Sequence, residues 1–284
     1  MMFSEMIDEI IITGRSIRGA SHIRAEKICQ DYNKIIRTPN YAVIAVADGH
    51  GSSSCPYSDE GAKVAANVFC DLMESYCDGN FGDNLRGFIS QDAELKIPQK
   101  ILVEWKRRML ERHEKFNREV VDDENIFKMY GTTLLGLLMT KDFIFAFQLG
   151  DGDIIFVDAD NVEPVINAEK ILGVETHSLS SKNAWRHSAA VVKTMPADKN
   201  FLYILMTDGV SNSYATQEDF HKACRDYFDI FINEGGDYVN ENLTDWLNEV
   251  TTQGSGDDVT AVFAYHKFFE KEATTFEGSA EKNS

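Results

Sequence analysis

Several apolar segments of this chain end or begin at short turns that contain aspartate, and this pattern constrains the fold more than any other feature. The pairs Asp48-Gly49 and Asp208-Gly209 follow predicted strands, Asp151-Gly152 lies between two strands, and Asp257 precedes the last strand. One Asp-Gly pair predicts only a turn, because Asp hydrogen-bonds to nearby backbone and Gly accepts positive φ. Four such turns in one domain predict carboxylates that converge at a shared sheet edge.

Converging carboxylates would repel one another and raise one another's pKa values unless a cation lies between them. A further aspartate, Asp31, lies just ahead of the apolar run at 41–47. All these candidate ligands are oxygens, which favours Mg²⁺ or Mn²⁺ over Zn²⁺. Two divalent ions would balance four carboxylates, and such a pair can hold a water molecule, lower its pKa and bind a phosphoryl oxygen.

The order of apolar runs predicts an α+β fold in which helices cover antiparallel sheets. Short connections predict that strands at 132–139, 143–149 and 154–157 form an antiparallel meander. The other predicted elements are strands at 10–17, 41–47, 189–193, 201–206 and 259–265 and helices at 62–76, 98–121 and 217–232. We expect one domain over residues 5–268 and a polar, disordered tail over residues 269–284.

The charge and the cysteine content exclude several classes of protein. The 284 residues include 46 acidic and 28 basic side chains, a formal charge of −18, which opposes binding to nucleic acid or to an anionic membrane. The apolar runs are shorter than the ~20 residues that span a bilayer. The acidic N-terminus lacks a signal-peptide pattern, and the five cysteines form no CxxC pair. These features predict a cytoplasmic protein.

Five motifs together resemble the metal-dependent protein phosphatase 2C family, particularly its bacterial members. They occur in the order and approximate spacing of that family over residues 16–264. The motifs are VIAVADGHGSSS, YGTTLLG, LGDGD, ILMTDGVSN and GSGDDVTAV. The resemblance implies a four-layer α-β-β-α sandwich of two antiparallel sheets flanked by helices. It also implies hydrolysis of phosphoserine and phosphothreonine in proteins by a water that bridges two Mg²⁺ or Mn²⁺ ions.

The resemblance also implies a role for individual residues. Asp48 would bridge both metal ions, and Gly49 would contribute its carbonyl oxygen. Asp208 and Asp257 would bind the first ion and Asp31 the second. Asp151 would help to bind a third ion together with Asp208. His50 corresponds to the histidine that protonates the leaving alkoxide.

Three positions depart from the family pattern. Gln30 replaces a frequent glutamate, which would remove one carboxylate near the second metal ion. Asp258 replaces a frequent asparagine, and we expect only a changed hydrogen bond there. In the family, an arginine shortly before the acidic pair binds the substrate phosphate, and here the spacing to that pair is shifted. Arg24 is our preferred candidate for this role, with Arg18 and Lys27 as alternatives.

Two other functions remain compatible with these residues. A catalytically weak relative could bind phosphoproteins or regulate a partner, and Gln30 is the feature that favours this alternative. A hydrolase of small phosphate esters would use the same metal chemistry. The leading prediction is a monomeric phosphatase that acts on phosphorylated proteins.

Overall fold

Ten strands form two five-stranded antiparallel sheets in the part of the chain that the computed structural model describes, residues 9–79, 84–119, 121–167, 177–196 and 198–268. The first sheet contains, in spatial order, β1 (Ile10–Ile17), β10 (Val259–His266), β9 (Phe201–Met206), β6 (Asp153–Val157) and β7 (Val162–Pro164). The second contains β2 (Tyr32–Arg37), β3 (Tyr41–Ala47), β4 (Leu134–Thr140), β5 (Phe143–Leu149) and β8 (Ala189–Thr194). The predicted α+β fold is confirmed.

Helices cover the outer faces of both sheets. The α-helices within the described residues are α1 (Ala20–Arg24), α2 (Ser58–Cys77), α3 (Leu85–Asp92), α4 (Lys96–Lys115), α5 (Asp123–Met129), α6 (Asp208–Ser211), α7 (Gln217–Asn233) and α8 (Gly235–Gln253). Helix α2 packs on the second sheet and α4 packs on α2, whereas α7 and α8 pack on the first sheet. This is the expected four-layer α-β-β-α sandwich.

The continuous apolar run of β3 is explained by burial on both faces. Val43 and Ala45 face the core beneath α2, while Ile44 and Val46 face the core between the two sheets. Alternate residues of β10 behave in the same way, because Val262 lies between the sheets and its neighbours pack under α7 and α8. Strands at the centre of the sandwich therefore contain almost no polar residues.

The meander predicted for the three strands between residues 132 and 157 was wrong. Strands β4 and β5 pair as expected, but β6 belongs to the other sheet, where it pairs with β9 and β7. Gly150 lies between β5 and β6 with φ +109°, a conformation that side chains rarely adopt. The Gly-Asp-Gly segment thus carries the chain from one sheet to the other instead of closing a hairpin.

The predicted helix over residues 98–121 also ends earlier than expected. Helix α4 ends at Lys115, and Asn117 adopts φ +48° two residues later. The amide of Arg118 then donates to the carbonyl of His113 at 3.3 Å. A left-handed residue followed by this bond is a common helix terminus, and Asn is one of the few side chains that tolerate it.

Two sequence predictions fall partly or wholly outside the described residues. These are the disordered tail at 269–284 and the first four residues, 5–8, of the predicted domain. No helix within the described ranges combines the length and the apolar character needed to cross a membrane.

Candidate active site

Four aspartates from separate parts of the chain meet at one end of the two sheets. Asp48 follows β3, Asp208 follows β9, Asp257 precedes β10 and Asp31 precedes β2. Burial raises the pKa of Asp48 well above its usual range, and the charges of Asp31, Asp208 and Asp257 raise it further. The structure therefore brings together Asp48, Asp208 and Asp257 of the predicted turns with Asp31.

Asp31 is a buried carboxylate that connects the two sheets. Its Oδ2 accepts hydrogen bonds from the hydroxyls of Thr207, just after β9, and Thr260, in β10, each at 2.8 Å. Burial raises the pKa of Asp31 to about 8; the two threonine hydrogen bonds lower the pKa, whereas the charges of Asp258 and Asp208 raise it. The threonines were not identified from the sequence, although Thr207 is adjacent to Asp208 and Thr260 is three residues after Asp257.

The backbone of Asp48 is held by the segment that leads into β4. Its carbonyl accepts hydrogen bonds from the Thr133 amide and the Thr132 hydroxyl, both at 2.9 Å, and its amide donates to the Thr133 hydroxyl at 3.1 Å. Gly49 follows in a crowded position, where a Cβ atom would lie 2.7 Å from the carbonyl oxygens of Gln30 and Ser58. These contacts explain why Gly is required after Asp48 and why threonines follow Gly131.

Asp208 begins the short helix α6 and lies close enough to Asp48 to raise the pKa of that carboxyl group. Its Oδ2 also accepts a hydrogen bond from Asn212 Nδ2 at 2.9 Å. Asp257 is more exposed, with 59% of its side chain accessible. Asp151 lies at the same end of the sandwich. In the pairing of β6 with β9, Asp153 is opposite Met206. Asp151 is two residues before Asp153, and Asp208 is two residues after Met206.

The donor set suits a hard divalent cation. Every converging side chain offers carboxylate oxygens, and burial together with the charges of the neighbouring carboxylates raises the pKa of Asp48, a conflict that a bound cation would relieve. Within the described ranges, no three His, Cys, Asp or Glu side chains already surround a common cation position. Binding a metal ion would therefore involve reorientation of the carboxylates and release of any protons that they hold.

Asp258 holds the periphery of the site, a role larger than the sequence suggested. Its Oδ1 accepts the Gly19 amide at 2.6 Å and lies 2.9 Å from His22 Nδ1, while Oδ2 accepts the Gln30 amide at 2.6 Å. His22 Nε2 lies 3.6 Å from Asp257 Oδ1. One buried carboxylate thus fixes α1 and the segment before β2 against the start of β10.

Replacing Asp258 by alanine is expected to destabilise the protein by about 2–4 kcal/mol, because the backbone amides of Gly19 and Gln30 would lose their acceptor and His22 would lose its neighbouring carboxylate. Denaturant unfolding monitored by circular dichroism measures this change. The exposed Asp226→Ala variant on α7 serves as the matched control and should stay within about 0.5 kcal/mol of the original chain. Equal stability of the two variants would contradict a structural role for Asp258.

His50, two residues after Asp48, is half-buried and lines a cavity of about 850 Å³. Its amide donates to the Gly131 carbonyl at 3.0 Å, and its carbonyl accepts from Gln30 Nε2 at 3.1 Å. Gln30 Nε2 also contacts the Ser58 hydroxyl. Gln30 therefore fixes the loop that carries His50, whatever its effect on metal binding.

The basic residues expected to bind phosphate occupy different positions. Arg24 is exposed at the end of α1. Arg18 Nη1 donates to the Lys27 carbonyl at 3.4 Å, and Lys27 Nζ donates to the Gly51 carbonyl at 3.3 Å, immediately after His50. Lys27 is thus tied to the loop of His50, and phosphate binding by Arg24 stays a prediction.

Comparisons with known proteins agree with this architecture. A family profile described as Protein phosphatase 2C matches residues 18–248. A search of curated proteins finds no match.

Solved structures with a similar arrangement include bacterial phosphatases. The catalytic domain of the serine threonine protein phosphatase PstP, in complex with two manganese ions, is 16% identical with a TM-score of 0.57, covering 91% of this chain and 99% of that one. A bacterial serine phosphatase is 13% identical with a TM-score of 0.60, covering 92% and 99%. PstP/Ppp of Mycobacterium tuberculosis is 15% identical with a TM-score of 0.55, covering 91% and 99%. At these identities the likeness shows a common fold.

Proposed function

The chain belongs to the protein phosphatase 2C family, and from that premise we propose that it hydrolyses phosphoserine and phosphothreonine in proteins in a metal-dependent reaction. The observation that carries this proposal is the cluster of Asp31, Asp48, Asp208 and Asp257, in which burial and the neighbouring carboxylates raise the pKa values of Asp31 and Asp48. Such a cluster is suited to bind divalent cations and, through them, an anionic substrate.

Each aspartate has a distinct place in the proposed site. Asp48 would hold two ions together with the Gly49 carbonyl, Asp208 and Asp257 would hold one of them, and Asp31 would hold the other. Asp151 and Asp208 would hold a third. Two bound Mn²⁺ or Mg²⁺ ions would lower the pKa of a water molecule between them and neutralise charge on the phosphoryl oxygens.

The chain's own side chains complete the reaction. The attacking water forms the new P–O bond as the bond to the serine or threonine oxygen breaks, and no phosphoenzyme is formed. His50, in its protonated form, would donate a proton to that leaving alkoxide oxygen. Arg24 would bind two phosphoryl oxygens through its planar guanidinium group. Asp258 and Gln30 would act as positioning residues, because each holds a segment that carries a proposed ligand or His50.

The proposal is tested with p-nitrophenyl phosphate and Mn²⁺. We expect Mn²⁺ to stimulate hydrolysis and excess EDTA to abolish it, since the carboxylates alone cannot activate water at neutral pH. The assay follows p-nitrophenolate absorbance before and after EDTA and after Mn²⁺ is restored. Full activity in excess chelator would contradict a metal-dependent reaction.

Two further measurements separate this function from its alternatives. Calorimetric titration should show Mn²⁺ binding, whereas a catalytically weak relative with a degenerate site would bind the metal feebly. Turnover of phosphopeptides should exceed that of small phosphate metabolites, and the opposite order would favour a small-ester hydrolase. Gel filtration tests the expected monomer.

A further inference from the structure

The cavity beside His50 contains a concentration of positive charge that is unusual for this chain. We call it the lysine groove, because its lining includes Lys106, Lys128 and Lys182 together with His50. Among the lining residues that the structure describes, these three lysines stand against one carboxylate, that of Glu124. The whole chain has the opposite balance, 46 acidic against 28 basic residues. The groove is thus a local cationic region on an anionic protein.

The three lysines come from separate elements, so their proximity is not a consequence of one charged helix face. Lys106 lies on α4, Lys128 on α5, and Lys182 in the segment that precedes the 3₁₀ turn at Ala184–His187. Charges on one helix usually form a solvated face. Convergence of like charges from three elements costs electrostatic energy, which an anionic ligand would offset.

The ammonium groups of Lys106 and Lys182 differ in their surroundings. Lys106 is half-buried, its Nζ lies 4.7 Å from the centre of the Phe127 ring, and burial lowers its pKa. Lys182 Nζ lies 3.7 Å from Glu124 Oε1, but the two side chains are 81% and 78% exposed. Exposed ion pairs of this kind contribute little to stability. A ligand carboxylate could therefore replace Glu124 beside Lys182 at a small cost in free energy.

The groove is fixed to the proposed catalytic residues by hydrogen bonds. The amide of Thr132 donates to Ser178 Oγ at 3.0 Å, and the amide of Leu179 donates to the Thr132 carbonyl at 2.9 Å. The hydroxyl of Thr132 donates in turn to the Asp48 carbonyl at 2.9 Å. The segment that carries Lys182 is therefore positioned relative to Asp48, as a substrate-binding wall requires.

We propose that the lysine groove binds acidic side chains that flank the phosphorylated residue of a protein substrate, and so selects acidic phosphorylation sites. This inference rests on the proposed phosphatase function and specifies its substrate class. The groove adjoins His50, so a peptide whose phosphate lies at the aspartates would place neighbouring residues within it. A small aryl phosphate carries no such residues and would not engage the lysines.

The test compares three phosphopeptides of equal length with acidic, neutral or basic residues on both sides of one phosphothreonine. The original chain should prefer the acidic peptide over the basic one by about tenfold in kcat/KM, and the preference should shrink as salt is raised. The Lys128→Glu/Lys182→Glu double variant should reverse the preference, while p-nitrophenyl phosphate hydrolysis stays within about twofold. This unchanged hydrolysis also shows that the variant folds.

The matched control is the Lys193→Glu/Lys222→Glu double variant, which makes the same charge change at exposed positions on β8 and α7. It should keep the acidic preference of the original chain. Hydrolysis of the neutral peptide without any acidic preference would overturn the inference, as would an unchanged preference in the Lys128→Glu/Lys182→Glu variant. If the original chain shows no Mn²⁺-dependent hydrolysis of any of these substrates, the proposed function is overturned, and the inference with it.

Discussion

The Asp48→Asn variant should hydrolyse p-nitrophenyl phosphate at least about 1,000-fold more slowly than the original chain in saturating Mn²⁺. Asp48 is the proposed ligand of both cations, so the amide removes one negative charge and one strong oxygen donor at the centre of the site. The measurement is kcat from initial rates, with the exposed Asp226→Asn variant on α7 as a control that keeps full activity.

The same substitution should stabilise the metal-free protein. Burial and the charges of Asp31 and Asp208 raise the pKa of Asp48, so the folded state bears a cost that a neutral amide of similar shape avoids. We expect the Tm of Asp48→Asn in EDTA to rise by about 3 °C or more. Loss of activity together with a higher Tm cannot arise from misfolding. Retained activity, or a lower Tm in EDTA, would contradict the assigned role of Asp48.

The convergence of the aspartates could be predicted because the turn residues carry local information. An apolar run such as Tyr41–Ala47 must be a buried strand, and a strand that ends at Asp-Gly places its carboxylate at the sheet edge. When several such strands share one domain, few arrangements of the sheets keep their terminal carboxylates apart. The bounds of β3, β5 and β9 follow from the same reasoning, since each is an almost entirely apolar run bounded by polar residues or glycine.

Features that depend on contacts between distant segments could not be predicted in this way. Strand β2 has a half-exposed pattern at the edge of its sheet, so it gives no continuous apolar signal. Strand β6 resembles a hairpin partner of β5, and only packing between the sheets assigns it to the other one. Helix α8 begins with two glycines and contains many polar residues, although Val239, Leu243 and Leu247 recur every four residues on its buried face.

The role of Asp258 within the site could not be predicted either, for the same reason. Beside Asp257 it resembles a second turn residue, and its neighbours along the chain show nothing about Gly19, His22 or Gln30. Those contacts join positions more than 220 residues apart. A buried carboxylate needs several donors to offset its desolvation, so burial of Asp258 implies such partners. Only the folded structure identifies which residues provide them.

The metal-free protein should lose stability as the pH rises, and Mn²⁺ should restore it. Burial raises the pKa of Asp31 to about 8 from an ordinary value of 3.8, so the folded state binds this proton more tightly than the unfolded chain does. Protonation of Asp31 therefore contributes stability that is fully present below about pH 4 and is lost as the pH rises through about 8. In EDTA, the Tm should fall by roughly 5 °C or more between about pH 5 and pH 8.5.

Mn²⁺ should have its largest effect at the upper end of this range, because the cation replaces the protons that the carboxylates lose. A ligand at 100 times its Kd adds about 2.7 kcal/mol when it binds only the folded state, which corresponds to roughly 5–10 °C in Tm for a chain of this size. The Asp31→Asn variant is the control: its Tm in EDTA should vary less with pH, since the amide does not titrate. Two results would contradict this link between proton release and cation binding at the buried carboxylates. One is a steep pH dependence of the Tm that persists unchanged in Asp31→Asn. The other is a Tm that does not respond to Mn²⁺ at about pH 8.5.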